Sequence, residues 1–412
     1  MIKENPKGKA KIMLAAASAF VMTVNGALLP QINAYAEGYA VYPDYGSSGT
    51  SSSVITRNNF SRSAEEWAAL EDNNLNWEEI PDLIHEYNAT VITNRSELEK
   101  DERRSMDAEE ISEYLMDMAD DADADADEAE ETSAALAATY RSQADSLRQQ
   151  ANSNLDDYEI IKLSYEQIEK QTALSAKQQF IEYYRALAQD EYNEPNLSYL
   201  ERLYVSEQNK YNVNMSTELN VLTAKETWEN ARASAAANKN SISSNLQSLI
   251  VLCGWKYDAE PVIGPLPEMT AEEAVNVDYA ADLEKARANS ITLRMDNIRL
   301  ENAKKMGTSA LVSEQETTLK NDTDSFGISF KAAYDSLKTC AEAYVNAVNA
   351  SANGDRDLEY ARRQREMGLI SDVDLMTAEN TKRSLELNVK TAYYDMVSAR
   401  ASYDAAVNDG IL

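Results

Sequence analysis

The chain has 412 residues, 43% of them hydrophobic, and a formal net charge of −31. Such an acidic balance argues against a nucleic-acid partner, which needs clustered Lys and Arg to displace counterions, and against adhesion to anionic lipid. The eight prolines fall at positions 6, 30, 43, 81, 195, 261, 265 and 267, so residues 82–194 and 268–412 are free of the residue that most strongly ends helices.

The N-terminus reads as an export signal. Lys3, Lys7, Lys9 and Lys11 form a basic region, Ile12–Val24 an apolar one, and Ala34-Tyr35-Ala36 fits the small-x-small cleavage rule with Glu37 as the first mature residue. The apolar stretch is shorter than the ~20 residues of a bilayer span; an uncleaved anchor is the alternative. Residues 1–36 are therefore read as a signal peptide and 37–76 as a flexible leader, rich in Gly, Ser and Tyr through residue 63.

Helical spacing begins around residues 77–99 with Leu83, Ile84, Tyr87 and Val91. An acidic run from Asp117 to Glu131 follows, with Asp-Ala alternation over Asp121–Asp127. It lacks the glycine and spacing of a calcium loop, and reads as a solvated helix face or a frayed segment. A second helix is expected over 155–192, ending near Pro195, a third up to residue 213, and a fourth over 217–253. Gly254, Pro261, Gly264, Pro265 and Pro267 mark a connector over 255–269, followed by helices near 270–305, 322–366 and 371–407. The fold class is all-α: long antiparallel coiled-coil hairpins in two tandem repeats, 77–254 and 270–412.

The hairpin reading rests on heptads. Phe326, Phe330, Ala333, Leu337, Cys340, Tyr344, Ala347 and Ser351 recur in steps of four and three, as do Leu385, Val389, Ala392, Met396, Ala399, Tyr403 and Ala406. Such steps keep one stripe facing a partner helix. A turn near Gly368 joins the two.

The repeat rests on an ungapped match. At an offset of 154, Thr217-Glu218-Leu219-Asn220-Val221-Leu222-Thr223-Ala224 lies on Ser371-Asp372-Val373-Asp374-Leu375-Met376-Thr377-Ala378. The same offset carries the later stripe onto Ala231, Ala235, Asn238, Ile242, Asn245, Leu249 and Leu252. Thr217 and Ser371 are N-cap residue types, with acids just after them. A further match near an offset of 201 joins Leu83–Asn94 with Glu284–Arg294, which leaves 47 extra residues in the first arm, around the acidic run.

Met367-Gly368-Leu369-Ile370-Ser371-Asp372-Val373-Asp374-Leu375, its copy with Asn214 for the glycine and Asn220 for the aspartate, and Ile250-Val251-Leu252-Cys253-Gly254 together resemble the repeat signature of the TolC family of outer membrane efflux proteins. The resemblance covers roughly residues 77–410. It implies efflux transport through a homotrimeric twelve-helix duct. Its tips, here Asn214, Met215, Ser216, Gly368, Leu369, Ile370 and Ser371, would dock a membrane-fusion-type adaptor of an inner-membrane pump. Asn220 and Asp374 would line the aperture; Asp374 matches an aperture acid of the family, while Asn220 and Thr377 stand where acids often occur. The family also inserts strand hairpins that close an outer-membrane barrel. A spanning strand needs ~9–11 alternating residues, and neither 99–160 nor 305–322 supplies one. This chain is therefore a divergent member in expectation, keeping the helical hairpins without the barrel, and working in an envelope without an outer membrane or docked on a partner that holds the pore.

His85 is the one histidine. It reads as structural, and no catalytic set, phosphate-cradling loop or Cys-x-x-Cys pair occurs, so neither an enzyme nor a cofactor is expected. Cys253 and Cys340 lie at heights differing by ~16 Å along their helices, too far for a disulfide. The alternative to a duct is a structural coiled coil of the cell surface without transport activity.

Overall fold

The computed structural model describes residues 55–57, 60–130, 133–306 and 309–412; the expected signal peptide and the start of the leader lie outside them. Four long helices dominate: α6 (Tyr158–Asn212), α7 (Glu218–Leu252), α11 (Ser309–Glu366) and α12 (Asp372–Asp404). The shorter elements in chain order are β1 (Ile55–Arg57), β2 (Phe60–Arg62), α1 (Ala64–Leu70), β3 (Asn74–Leu75), α2 (Ile80–Tyr87), α3 (Ala89–Lys100), α4 (Ala108–Glu130), α5 (Ala134–Ser153), β4 (Val262–Ile263), α8 (Ala271–Val275), α9 (Tyr279–Asn289) and α10 (Ile291–Met306). At 1.5 Å per residue, α6 and α11 are each over about 80 Å long.

Each long helix forms because its apolar stripe has a partner. Helix α6 packs on α7, α11 packs on α12, and α6 also packs on α12, giving a layer in the order α7–α6–α12–α11. The heptad stripe of α11 is buried at Phe326, Phe330 and Leu337, half-buried at Ala333, Cys340, Tyr344, Ala347 and Ser351, and runs on through buried Gly354, Leu358 and Ala361. In α7, Ala235 and Leu249 are buried and the rest of the expected stripe is half-buried. Gly354 marks a close approach: a Cβ there would lie 2.5 Å from Leu385 Cδ1, so the missing side chain is the hole into which Leu385 fits. One turn away, the buried ammonium of Lys382 bonds Ser351 O at 3.0 Å, Ser351 Oγ at 2.9 Å and Asp355 at 2.7 Å, which satisfies a cation in the seam.

The seam between the repeats, α6 on α12, is polar and aromatic. Asn380 Nδ2 donates to Asn196 Oδ1 at 3.1 Å, and Tyr199 Oη pairs with Thr377 Oγ1 at 3.1 Å. Arg185 meets Asp395 at 2.7 Å, and Lys390 pairs with Glu191. One departure from the sequence reading falls in this seam. Helix α6 does not stop at Pro195 but runs through it to Asn212. Proline removes one helical bond, yet the helix continues, and the next residue, Asn196, accepts from Tyr192 within the helix and from Asn380 of α12.

A second correction concerns the leader. From Arg62 onward the segment is built into the fold: Trp67 and Leu70 are buried, and the Arg62 guanidinium lies 4.8 Å from the Trp67 ring while bonding Asp82 at 2.7 Å and Glu86 at 2.6 Å. Trp67 and Leu70 join a core of Trp77, Ile80, Leu83, Ile84, Phe180, Ile181, Leu249 and Ile250. Burying aromatic and branched side chains at about 1.5–3 kcal/mol each is what ties the segment to α6 and α7. The connector is tied as well: β3 pairs with β4 in parallel register Asn74↔Val262, and Tyr184 Oη donates to Gly264 O at 2.8 Å.

The two repeats differ where the sequence matches leave extra residues. Between α3 and α6 the first repeat carries an antiparallel helical hairpin, α4 with α5, spanning residues 108–153. The expected acidic face is there, and it is helical. Ala119, Ala122, Ala144 and Leu147 form the hairpin's own small-residue core, while Arg148 reaches Asp120 at 2.9 Å and Asp123 at 2.6 Å on the solvent side. In the second repeat α10 folds back directly onto α11. Among the described residues the only strands are the two short pairs β1–β2 and β3–β4. Both cysteines are free thiols, and burial pushes that of Cys253 up to about 12.

The hairpins close at their roots in matching ways. Asn88 Nδ2 donates to Leu252 O, and Asn289 Nδ2 to Val407 O, both at 2.8 Å. Gly254 and Gly410 follow with φ of +82° and +69°. A Cβ on either would lie within 2.2 Å of a backbone oxygen, Tyr87 O or Asn289 O. In the second repeat the final turn before the glycine is a π-helix, Ala405–Asp409.

Candidate docking tips

Each hairpin turns at a left-handed residue. Asn214 has φ +60° and Gly368 has φ +72°. Asparagine is one of the few side chains that tolerates this region, which is why it can stand where the other copy has glycine. The carbonyls left open at the helix ends are closed identically: Met215 N donates to Lys210 O at 2.7 Å and Leu369 N to Gln364 O at 2.9 Å. Both are six-to-one bonds of the Schellman type. The outgoing helices are capped by Thr217 Oγ1, accepting from Asn220 N at 3.3 Å, and Ser371 Oγ, accepting from Asp374 N at 3.2 Å.

These bonds consume the polar groups of the turns and leave apolar side chains outside. Met215 is 78% exposed and Leu369 66%, with Val213, Leu219 and Met367 exposed beside them. Asn214, Gly368 and Ser371 are also exposed, while Ser216 and Ile370 are half-buried. Ser216 Oγ donates to Glu207 at 2.7 Å and accepts from Asn220 Nδ2 at 3.2 Å, so it braces the turn. Across the second turn Arg365 bonds Asp372 at 2.6 Å. The two tips lie at the same end of the α6–α12 seam, where Tyr199 meets Thr377 at 3.1 Å and Arg202 meets Met376 at 3.7 Å. Clustered exposed apolar side chains rimmed by charge are the usual mark of an interaction surface.

The two residues assigned to an aperture are exposed but locally engaged. The Asp374 carboxylate accepts from Ser371 Oγ at 2.7 Å and Ser371 N at 2.9 Å, and these bonds hold its pKa below the usual aspartate range. Asn220 spends its amide on Ser216. Thr377 lies in the α6–α12 seam against Tyr199. The root clamps Asn88 and Asn289 close the two opening arms that the resemblance marks by their asparagines, and they stand 201 residues apart.

His85 is packed. Its Nδ1 lies 2.7 Å from Glu169 Oε1, at the edge of a cleft of about 510 Å³ between α2, α6 and the end of α12. The cleft has Trp77, Lys177, Arg400 and Asp409 in its walls.

No family model matches the chain, and no curated protein matches it. Solved structures do. The CmeC outer membrane channel of Campylobacter jejuni is 11% identical, covering 93% of this chain and 94% of its own, with a TM-score of 0.52. A membrane protein from Pseudomonas aeruginosa is 13% identical over 81% of this chain and 90% of its own, TM-score 0.47. The open state of the Neisseria gonorrhoeae MtrE outer membrane channel is 14% identical over 81% and 89%, TM-score 0.43. The likeness to CmeC, carried over nearly the whole of both chains, gives this chain a TolC-like helical-hairpin fold.

Proposed function

We propose that the chain is an efflux or export duct component of the cell envelope. Three copies would place their hairpins side by side in a twelve-helix tube, with the tips docking a membrane-fusion-type adaptor of an inner-membrane pump. The observation that carries this reading is the duplicated tip. Two turns, 154 residues apart, use different residues to reach one backbone geometry and present Met215 and Leu369 outward at the same end. A coiled coil serving only as a spacer has no need of two such apolar turns side by side.

The end opposite the tips argues for a duct that does not itself cross a membrane. No helix among the described residues is long and apolar enough to do so. The described strands, of two or three residues, fall far short of the ~9–11 that a barrel strand needs. Such a duct would serve an envelope without an outer membrane, or meet a partner that provides the pore.

The test combines the mass of the mature chain in solution with photo-crosslinking from position 369 in cells. A trimer, and a crosslink to an adaptor lost on Leu369→Asp, are expected. A stable monomer whose tip captures no adaptor would overturn the proposal.

A further inference from the structure

Asp296, on α10, has 3% of its surface exposed. A buried carboxylate is ordinarily held by several donors or by a committed cation, and Asp296 has neither. Arg299 lies 3.4 Å from its Oδ1 but is closer to Asp156, at 2.7 Å. Its Oδ2 is buried without a hydrogen-bonding donor among the described residues. Facing it from α11 is the carboxyl of Asp322, within hydrogen-bonding reach. At the start of α6, Asp157 takes its own donor from Asn302, and Arg294 of α10 turns to Glu166 at 3.9 Å. The charged groups acting on Asp296 are therefore Asp322 and a shared Arg299.

Two carboxylates in contact cannot both ionise without cost, whereas a single proton between them supplies the donor that the orphaned oxygen lacks. We propose that Asp296 and Asp322 hold one proton between them and form a latch on the α10–α11 hairpin, closed in mild acid and loosened at neutral pH. Burial first, and then the Asp322 carboxyl, push Asp296 up to about 6. An acid whose folded value is raised adds stability that is full below its unfolded value near 4 and is lost as pH rises through about 6. The latch sits at the end of α11 remote from the tip, so it acts on the pole where the hairpin roots gather.

The test is amide hydrogen exchange of α10 and the first turns of α11 in the full chain, corrected for intrinsic rates, at pH 5 and pH 7.5. Protection is expected to fall about tenfold or more between the two in the native chain. Asp322→Asn, and Asp296→Asn if it folds, place an amide donor between the helices and should hold protection level across the range. Equal protection at both pH values in the native chain, or an undiminished pH dependence in Asp322→Asn, would overturn the proposal.

Discussion

Asn88 and Asn289 do the same work in the two repeats: each sends its side-chain amide 2.8 Å to a carbonyl at the closing end of its own hairpin, Leu252 for the first and Val407 for the second. They are not equivalent in what else they do. Asn88 is also the N-cap of α3, its Oδ1 accepting from Thr90 N and Val91 N, whereas Ser290 Oγ takes that role at the start of α10 by accepting from Leu293 N. Asn88→Ala should therefore cost more than Asn289→Ala, about 2–3 against about 1 kcal/mol, since it loses a cap as well as a clamp. Urea unfolding of the single variants checks the order.

The tips give an asymmetric pair of substitutions. Nothing lies within 4 Å of where a Cβ on Gly368 would stand, so Gly368→Ala meets only the left-handed backbone. That strain is worth about 1–2 kcal/mol. Asn214→Gly should be close to neutral, because glycine needs no adjustment at φ +60°. Thermal melts of the two variants should separate clearly.

Gly354 and Leu385 predict a reversal of sign. Alanine at an interior helical glycine gains about 1 kcal/mol of propensity, but here its Cβ would press on Leu385 Cδ1 at 2.5 Å. Overpacking of that kind costs about 1–3 kcal/mol. Gly354→Ala should destabilise the native chain and stabilise the Leu385→Ala background. A double-mutant cycle in denaturant measures the coupling.

Asp374 sets an acid limit on the second tip. Hydrogen bonds from Ser371 depress its pKa, so the stability it contributes is full above the ordinary aspartate value of about 3.9 and is lost as pH falls through the lower folded value. Ser371→Ala should return the Asp374 titration toward that ordinary value, as read from its carboxyl carbon resonance. An unmoved midpoint would count against the capping box as the cause.

Much of this architecture can be read from the chain because its signals are periodic or repeated. The four-three stripes name the buried faces of α7, α11 and α12, and the 154-residue offset locates both tips. Asn214 could be matched to Gly368 only because register was kept without a gap. What could not be read depends on partners distant in sequence. Pro195 looks like a stop until Asn380, far along the chain, is seen to hold Asn196. Trp67 looks like part of a polar leader until Arg62 finds Asp82 and Glu86. Asp296 and Asp322 are two of 70 acidic residues, and only the folding back of α10 makes them a pair.

The π-helix at Ala405–Asp409 stands where the two copies differ in length. Leu252 and Val407 are 155 apart and Gly254 and Gly410 are 156 apart, yet the tips remain at 154. A wide turn absorbs added residues locally. The two copies thus differ in length beside their roots, while the surfaces at the far end stand at a single spacing. A bulge of this kind lets one end of a long rod drift in sequence length without transmitting the change to the other. The tip pair and the root pair are in that sense free to diverge separately.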